Sequence, residues 1–215
     1  MKTAASSRTE AKPSATIVPE ETVQLLLRRI VDLYEQNLAS SDTAKTLLHR
    51  WQLNNYTFLG VHHVGYCNGR LPQILNRLED KSHLTQLGVL TPKGAERFAG
   101  CLIFPIYDLN GAMVDFWVVP PSSAQGGARF LRNRSPAFWN VAAAKGASLQ
   151  YLTPSPVDAL ASGMAVVNLV PTVPITAATL VGMLPGATSV VVETGINRKN
   201  GKVPSGAWNS TAPKW

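Results

Sequence analysis

The 215-residue chain has only two cysteines, Cys67 and Cys101. Two are too few for a disulfide framework, and no Cys-x-x-Cys spacing offers a zinc-ligand pair, so both read as buried reduced thiols. No run approaches the roughly 18 apolar residues that span a bilayer, which excludes a membrane-spanning helix. Met1 to Pro19 lacks the apolar stretch of a secretory signal, so a cytoplasmic location is expected. No glycine-rich loop opens a helix to cradle a phosphate; Gln125-Gly126-Gly127 has neither the lysine nor the helix after it. Cys67 lies near His62 and His63 without an orienting acid in the sequence, which argues against a nucleophile pair. Acids are also scarce: 13 Asp and Glu stand against 20 Lys and Arg, a formal net charge of +7. That balance suits a polyanionic partner.

The sequence does have enough apolar residues, 45% of the chain, to bury a core in one large domain or two small ones. Met1 to Pro19 mixes Ser, Thr, Ala, Lys and Pro without periodicity and reads as a tail. Glu20 and Glu21 then oppose the positive end of a helix dipole, and Val23, Leu26, Leu27, Ile30, Val31 and Tyr34 recur at steps of three and four. Ser41 or Asp42 caps a second helix bearing Ala44, Leu47, Leu48 and Trp51, so the two are expected to form a helical hairpin. An extended segment is expected over Asn54 to Tyr66. A third amphipathic helix follows over Leu71, Ile74, Leu75 and Leu78, and a short fourth before Gly88. The apolar runs Leu102 to Tyr107 and Met113 to Val119 flank Asp108-Leu109-Asn110-Gly111, a hairpin signal.

The most basic part of the middle chain is Arg129-Phe130-Leu131-Arg132-Asn133-Arg134, followed by Phe138, Trp139 and Lys145. Arginines beside flat rings suit a channel for single-stranded nucleic acid, where guanidinium groups hold phosphates and rings stack on bases. The same arginines also suit a solvated strand edge that discourages pairing. Next comes a strand (Leu149 to Leu152), the turn Thr153-Pro154-Ser155-Pro156, a helix ending at Gly163 and a strand (Ala165 to Leu169). A helix over Pro174 to Leu184 and a strand over Ser189 to Val192 complete a small parallel arrangement.

From Leu33 onward these signals resemble the catalytic core of DnaG-type primases and the primase-like TOPRIM proteins of mobile genetic elements. Leu33-Tyr34-Glu35-Gln36-Asn37-Leu38-Ala39 looks like the family's first short helix, and His63-Val64-Gly65-Tyr66 resembles its Leu-Gly-Tyr landmark. The segments Leu87-Gly88-Val89-Leu90 and Arg97-Phe98-Ala99-Gly100-Cys101-Leu102-Ile103-Phe104-Pro105-Ile106-Tyr107-Asp108 are similar to the family's Gly-Leu-Leu and Arg-Phe-x-Gly-Arg-x-x-Phe-Pro-Ile-x-Asp runs. Pro156-Val157-Asp158-Ala159-Leu160 looks like the start of a TOPRIM domain.

The resemblance implies an α+β fold with an α/β portion. Residues 1–19 would be a tail and 20–146 a helical and β-hairpin amino-terminal subdomain. Residues 147–197 would be a small, partly truncated TOPRIM-like parallel sheet with helices, and 198–215 a basic coil. In the family, carboxylates of the TOPRIM domain hold divalent metal, and oxygen ligands of that kind suit magnesium. Here Pro154 takes the place of the metal-binding Glu, and Glu193 and Gly195 fall at the later Asp-x-Asp positions. The metal site is therefore degenerate, with Asp158 and Glu193 left as candidate catalytic acids and no assigned metal ligands. Cys101 stands where the family has an Arg in its nucleic-acid groove. The family's zinc-binding and helicase-binding modules are not expected.

Three functions follow from the resemblance. The first is a catalytically inactive, primase-like protein of a plasmid, phage or integrative element that acts in DNA replication or maintenance. It would bind single-stranded DNA, or an RNA–DNA template, through Arg97, Arg129, Arg132, Arg134, Trp139 and Lys145, with other replication proteins of the element as further partners and no membrane. The second is an active, Mg2+-dependent nucleotidyltransferase. The third is an interaction module, such as an inhibitor or assembly factor, whose arginines meet an acidic protein surface.

Overall fold

The computed structural model describes residues 18–51, 53, 59–60, 62–75, 77–108, 110–122, 128–129, 138–140, 149–152, 155–161, 167–171 and 189–192. Its first helix, α1 (Glu20–Ser40), begins at the two acids and buries Leu26, Leu27, Ile30, Val31, Tyr34, Asn37 and Leu38 along one stripe. The Oγ of Ser41 accepts from the Ala44 N–H at 3.2 Å and so caps α2 (Asp42–Arg50). Helix α2 buries Ala44, Leu47 and Leu48.

The two helices do not form the expected hairpin against each other. Except for Leu38, which joins the cluster of α2, the apolar residues of α1 cluster with Ile103, Phe116 and Val118, whereas those of α2 cluster with Leu102, Phe104, Ile106 and Val119. Successive residues of a strand point to opposite faces, so each helix covers a different face of one sheet. That sheet is built on the hairpin of β2 (Leu102–Tyr107) and β3 (Met113–Val119), paired from Leu102↔Val119 to Tyr107↔Met113 with an irregularity after Ile106. With both faces covered, Leu102 to Ile106 are all buried. The side chain of Gln24 fastens α1 to the start of β3. It donates to the Met113 carbonyl at 2.7 Å and accepts from the Met113 N–H at 3.2 Å.

Two expected elements differ. The extended segment reduces to β1 (Gly65–Tyr66), which pairs antiparallel with β2; residues 54–58 lie outside the described residues. Just before β1, His62 and His63 sit in a turn with His63 at φ 53°. The third helix is broken: α3 (Leu71–Ile74) ends at Leu75, whose ψ of 111° is extended, and α4 (Leu78–Gln86) begins afresh. Glu79 and Asp80 in the first turn of α4 mark that start, since acids there oppose the dipole. Leu78 is consequently no core residue; it is 84% exposed.

The sheet continues through β4 (Ala128–Arg129), β5 (Phe138–Trp139), β6 (Leu149–Leu152), β7 (Val167–Pro171) and β8 (Ser189–Val192). Its order is β4-β3-β2-β5-β7-β6-β8, with β1 also on β2. Strand β6 pairs in parallel with β7 and β8, and β5 joins this parallel part to the hairpin by antiparallel pairing with both β2 and β7. Strand β7, expected over Ala165 to Leu169, is described over Val167–Pro171. Between β6 and β7 lies α5 (Pro156–Ala161), whose Val157, Ala159 and Leu160 join the same buried cluster as α2. The helix expected over residues 174–184 lies outside the described residues. Among the described residues, no helix is long and apolar enough to cross a membrane.

Candidate nucleic-acid interface

The turn Arg97–Cys101 runs from an exposed arginine to the start of β2. Gly100, at φ 87°, adopts the left-handed conformation that glycine takes without steric cost. Its N–H donates to the Cys67 carbonyl at 2.7 Å, while the Cys67 N–H donates to the Cys101 carbonyl at 3.0 Å. Two residues thus face one, a glycine-led β-bulge that ends the β1–β2 pairing and turns the chain outward. Beside it lies a cleft of about 480 Å³. Thr43, Thr46 and Arg50 of α2 form one wall, and Tyr66, Gly100 and Pro121 the other. Leu47 and Asp42 complete the lining. Asp42 is an opposing charge, but it is fully exposed and lies 3.7 Å from Lys45.

Arg50, Arg70 and Arg97 are all exposed. Arg50 lines the cleft itself. Arg97 opens the turn that ends at the cleft, its N–H held by the Val89 carbonyl at 3.0 Å. The backbone N–H of Arg70 donates to Asn68 Oδ1 at 3.0 Å, and Asn68 Nδ2 donates to Asn37 Oδ1 at 2.8 Å. The structure thus adds two exposed arginines, Arg50 and Arg70, that the sequence pattern did not single out. Arg50 is marked in the sequence only as a residue of the last turn of α2, where a cation suits the helix dipole. Arg50 is followed directly by Trp51, but that ring is buried in the core.

The other candidates are placed as follows. Arg129 lies on β4 opposite Trp117. Arg132, Arg134, Lys145 and Glu193 lie outside the described residues. Trp139 has to be corrected: it is 2% exposed and belongs to the core. Its ring packs against His62, with centroids 4.9 Å apart, and edge-on to Phe104 at 6.1 Å, so it presents no face on which a base could stack. An aromatic residue close to arginines in sequence need not share their surface.

The two histidines diverge because of the turn rather than a strand. His63 Nδ1 lies 2.6 Å from Glu35 Oε1, whereas His62 packs on Trp139. Burial, with a smaller effect of His63, holds the His62 imidazole below the usual range. A base with a lowered folded pKa takes up fewer protons folded than unfolded, so its contribution to stability is complete above about pH 6.5 and is lost as pH falls below that value. The midpoint of chemical denaturation should fall between about pH 7.5 and pH 5, and His62→Phe should flatten that decline. A wild-type midpoint that stays level across this range would contradict it.

Asp158 is 3% exposed and is engaged locally. Its Oδ2 accepts from the Ser155 hydroxyl at 2.6 Å, and its N–H donates to Ser155 Oγ at 3.1 Å. This is a reciprocal cap at the start of α5, the role of a Ser-x-x-acid sequence. Among the described residues no group of three or more His, Cys, Asp or Glu is arranged to hold a metal ion. The carboxylate of Asp158, buried and tied to Ser155, does not fit a magnesium shell.

No protein-family model matches the sequence, and neither does any curated protein. Solved structures do match in shape. A DnaG primase catalytic domain bound to single-stranded DNA superposes with a TM-score of 0.65 at 15% identity, over 80% of this chain and 62% of that one. The zinc-binding and RNA polymerase domains of Aquifex aeolicus primase give 0.60 at 17% identity, over 84% and 50%. The RNA polymerase domain of Mycobacterium tuberculosis DnaG, in complex with a double-stranded DNA bearing a 6-nucleotide overhang, gives 0.60 at 14%, over 80% and 63%. The chain spans between 50% and 63% of the length of these three. At these identities the likeness is one of fold, and the fold is that of DnaG-type primase catalytic cores.

Proposed function

We propose that the protein is a primase-like nucleic-acid-binding protein without catalytic activity, acting in the replication or maintenance of the DNA of a plasmid, phage or integrative element. The observation that carries this reading is the exposed Arg50 lining a cleft on a primase-core fold, with the exposed Arg70 and Arg97 on two loops that a carboxylate joins. Exposed guanidinium groups hold phosphates, and the hydroxyls of Thr43 and Thr46 add neutral donors for the same oxygens. Tyr66, on the opposite wall, supplies an aromatic edge. The partner is single-stranded DNA or a primer–template, and the protein works in the cytoplasm, where that DNA is. The unit of β6, α5, β7 and β8 corresponds to a reduced TOPRIM domain. The absence of catalysis is inferred from Pro154 in place of the metal-binding Glu and from Asp158 acting as a buried cap.

A paired assay tests the reading. In a native gel at low salt with a chelator present, the protein should retard labelled single-stranded DNA. With nucleoside triphosphates and Mg2+ on the same template it should yield no primer. Primer synthesis lost on Asp158→Ala would establish an active enzyme instead. No retardation, together with no primer, would favour a module that binds an acidic protein surface.

A further inference from the structure

A buried carboxylate joins the two loops that carry Arg70 and Arg97. Glu96 is 7% exposed and immediately precedes Arg97. Its Oε2 accepts from the N–H of Leu71, the residue after Arg70, at 3.1 Å. Its Oε1 accepts from the Tyr34 hydroxyl of α1 at 2.5 Å. The loops also touch further along, since a Cβ built on Gly69 would lie 3.3 Å from the Ala99 Cβ. One acid therefore ties the 67–71 loop, the 95–101 turn and α1 together.

We infer that Glu96 is a positioning residue: it fixes the two loops that carry Arg70 and Arg97 so that both can engage neighbouring phosphates of one strand. Glu96 itself touches no solvent-facing ligand; it acts through the loops it joins. Two surroundings favour this role over a packing role alone. Both oxygens are used on polar donors from different elements, so the group specifies a geometry as well as filling space. Burial, Cys67 and Glu96 also push the Tyr34 hydroxyl far above its usual range, so it remains a donor at any physiological pH.

This inference rests on the nucleic-acid reading of the cleft, so its test has one arm that needs no DNA. In Glu96→Ala, amide hydrogen exchange should accelerate by about tenfold or more at Leu71, Arg97 and Gly100 while the amides of β2 and β3 keep their rates. Equal acceleration across the sheet, or none at the three amides, would overturn it. In the second arm, binding to single-stranded DNA is followed across salt concentrations. Each phosphate contact contributes about 0.7 to the slope of log affinity against log salt, so Glu96→Ala should lower its magnitude by about 1.4. Glu96→Gln, which keeps an acceptor for the Leu71 N–H, should recover most of the slope; an unchanged slope in Glu96→Ala would overturn the inference. Should Glu96→Ala fail to fold, Tyr34→Phe removes one of the two bonds and should give an intermediate loss; no loss counts against the inference. A wild-type chain that does not bind DNA removes the functional reading, and the exchange arm then decides alone whether Glu96 fixes the loops.

Discussion

Gly65→Ala should unfold roughly 6–12 °C below the wild-type chain, reflecting a loss of about 3 kcal/mol. A Cβ on residue 65 would lie 2.4 Å from the Tyr34 Cβ and 3.0 Å from the Tyr34 carbonyl carbon. Neither atom is the end of a flexible side chain, so relief requires moving α1 or β1 as a whole. Helix α1 is poorly placed to move, because Tyr34 is held by Glu96, Gln24 pairs with Met113, and the buried stripe packs under the hairpin. Thermal unfolding followed by circular dichroism measures the effect. An unchanged midpoint would show that α1 and β1 are not in the contact described.

The same contact joins two stretches that are far apart in the sequence. Tyr34 in the first helix and Gly65 in His63-Val64-Gly65-Tyr66 meet directly, the small residue allowing the close approach. Sequence signals that depend on neighbours along the chain were legible: the acids that open α1, the Ser41 cap, the hairpin strands and the strands β6 and β8. Those that depend on tertiary packing were not. Periodicity joined Leu71 to Leu78 in one helix, because a 3.6-residue stripe does not reveal a break when the acids restarting it, Glu79 and Asp80, are read as surface. The hairpin of α1 and α2 failed for a related reason. An amphipathic stripe says that a face is buried, not which surface buries it.

The candidate site divides in the same way. Arg97 was singled out by the run of residues around it and is exposed; Asp158, singled out by its position after Ser155-Pro156-Val157, is a buried cap. Trp139 was misplaced because neighbours in sequence stood in for neighbours in space. On a strand, a residue and the one after it face opposite sides, and Trp139 faces the core with Phe104 and His62. Arg70 could not be grouped with Arg97 from sequence, since it is the buried carboxylate of Glu96 that joins the loops carrying them.

Replacing Arg50, Arg70 and Arg97 together with alanine should have the largest effect on binding. Without three phosphate-holding guanidinium groups, a single-stranded site should show a salt slope smaller by about 2 and an affinity weaker by about 100-fold or more at low salt. Because Arg50 and Arg70 are exposed, replacing those two alone should leave the unfolding midpoint within about 0.5 kcal/mol of the wild type. Separating affinity from stability in this way shows that the loss arises at the interface. A triple variant that binds as tightly as the wild type would place the interface elsewhere.

A primase-core fold whose exposed arginines meet single-stranded DNA should bind it in a salt-dependent way. The most direct test is a fluorescence-anisotropy titration of the wild-type chain with labelled single-stranded DNA at about 50 mM and about 200 mM salt. The account predicts saturable binding at the lower salt that weakens steeply at the higher one, whether or not magnesium is present. No binding at the lower salt, or binding indifferent to salt, would contradict it.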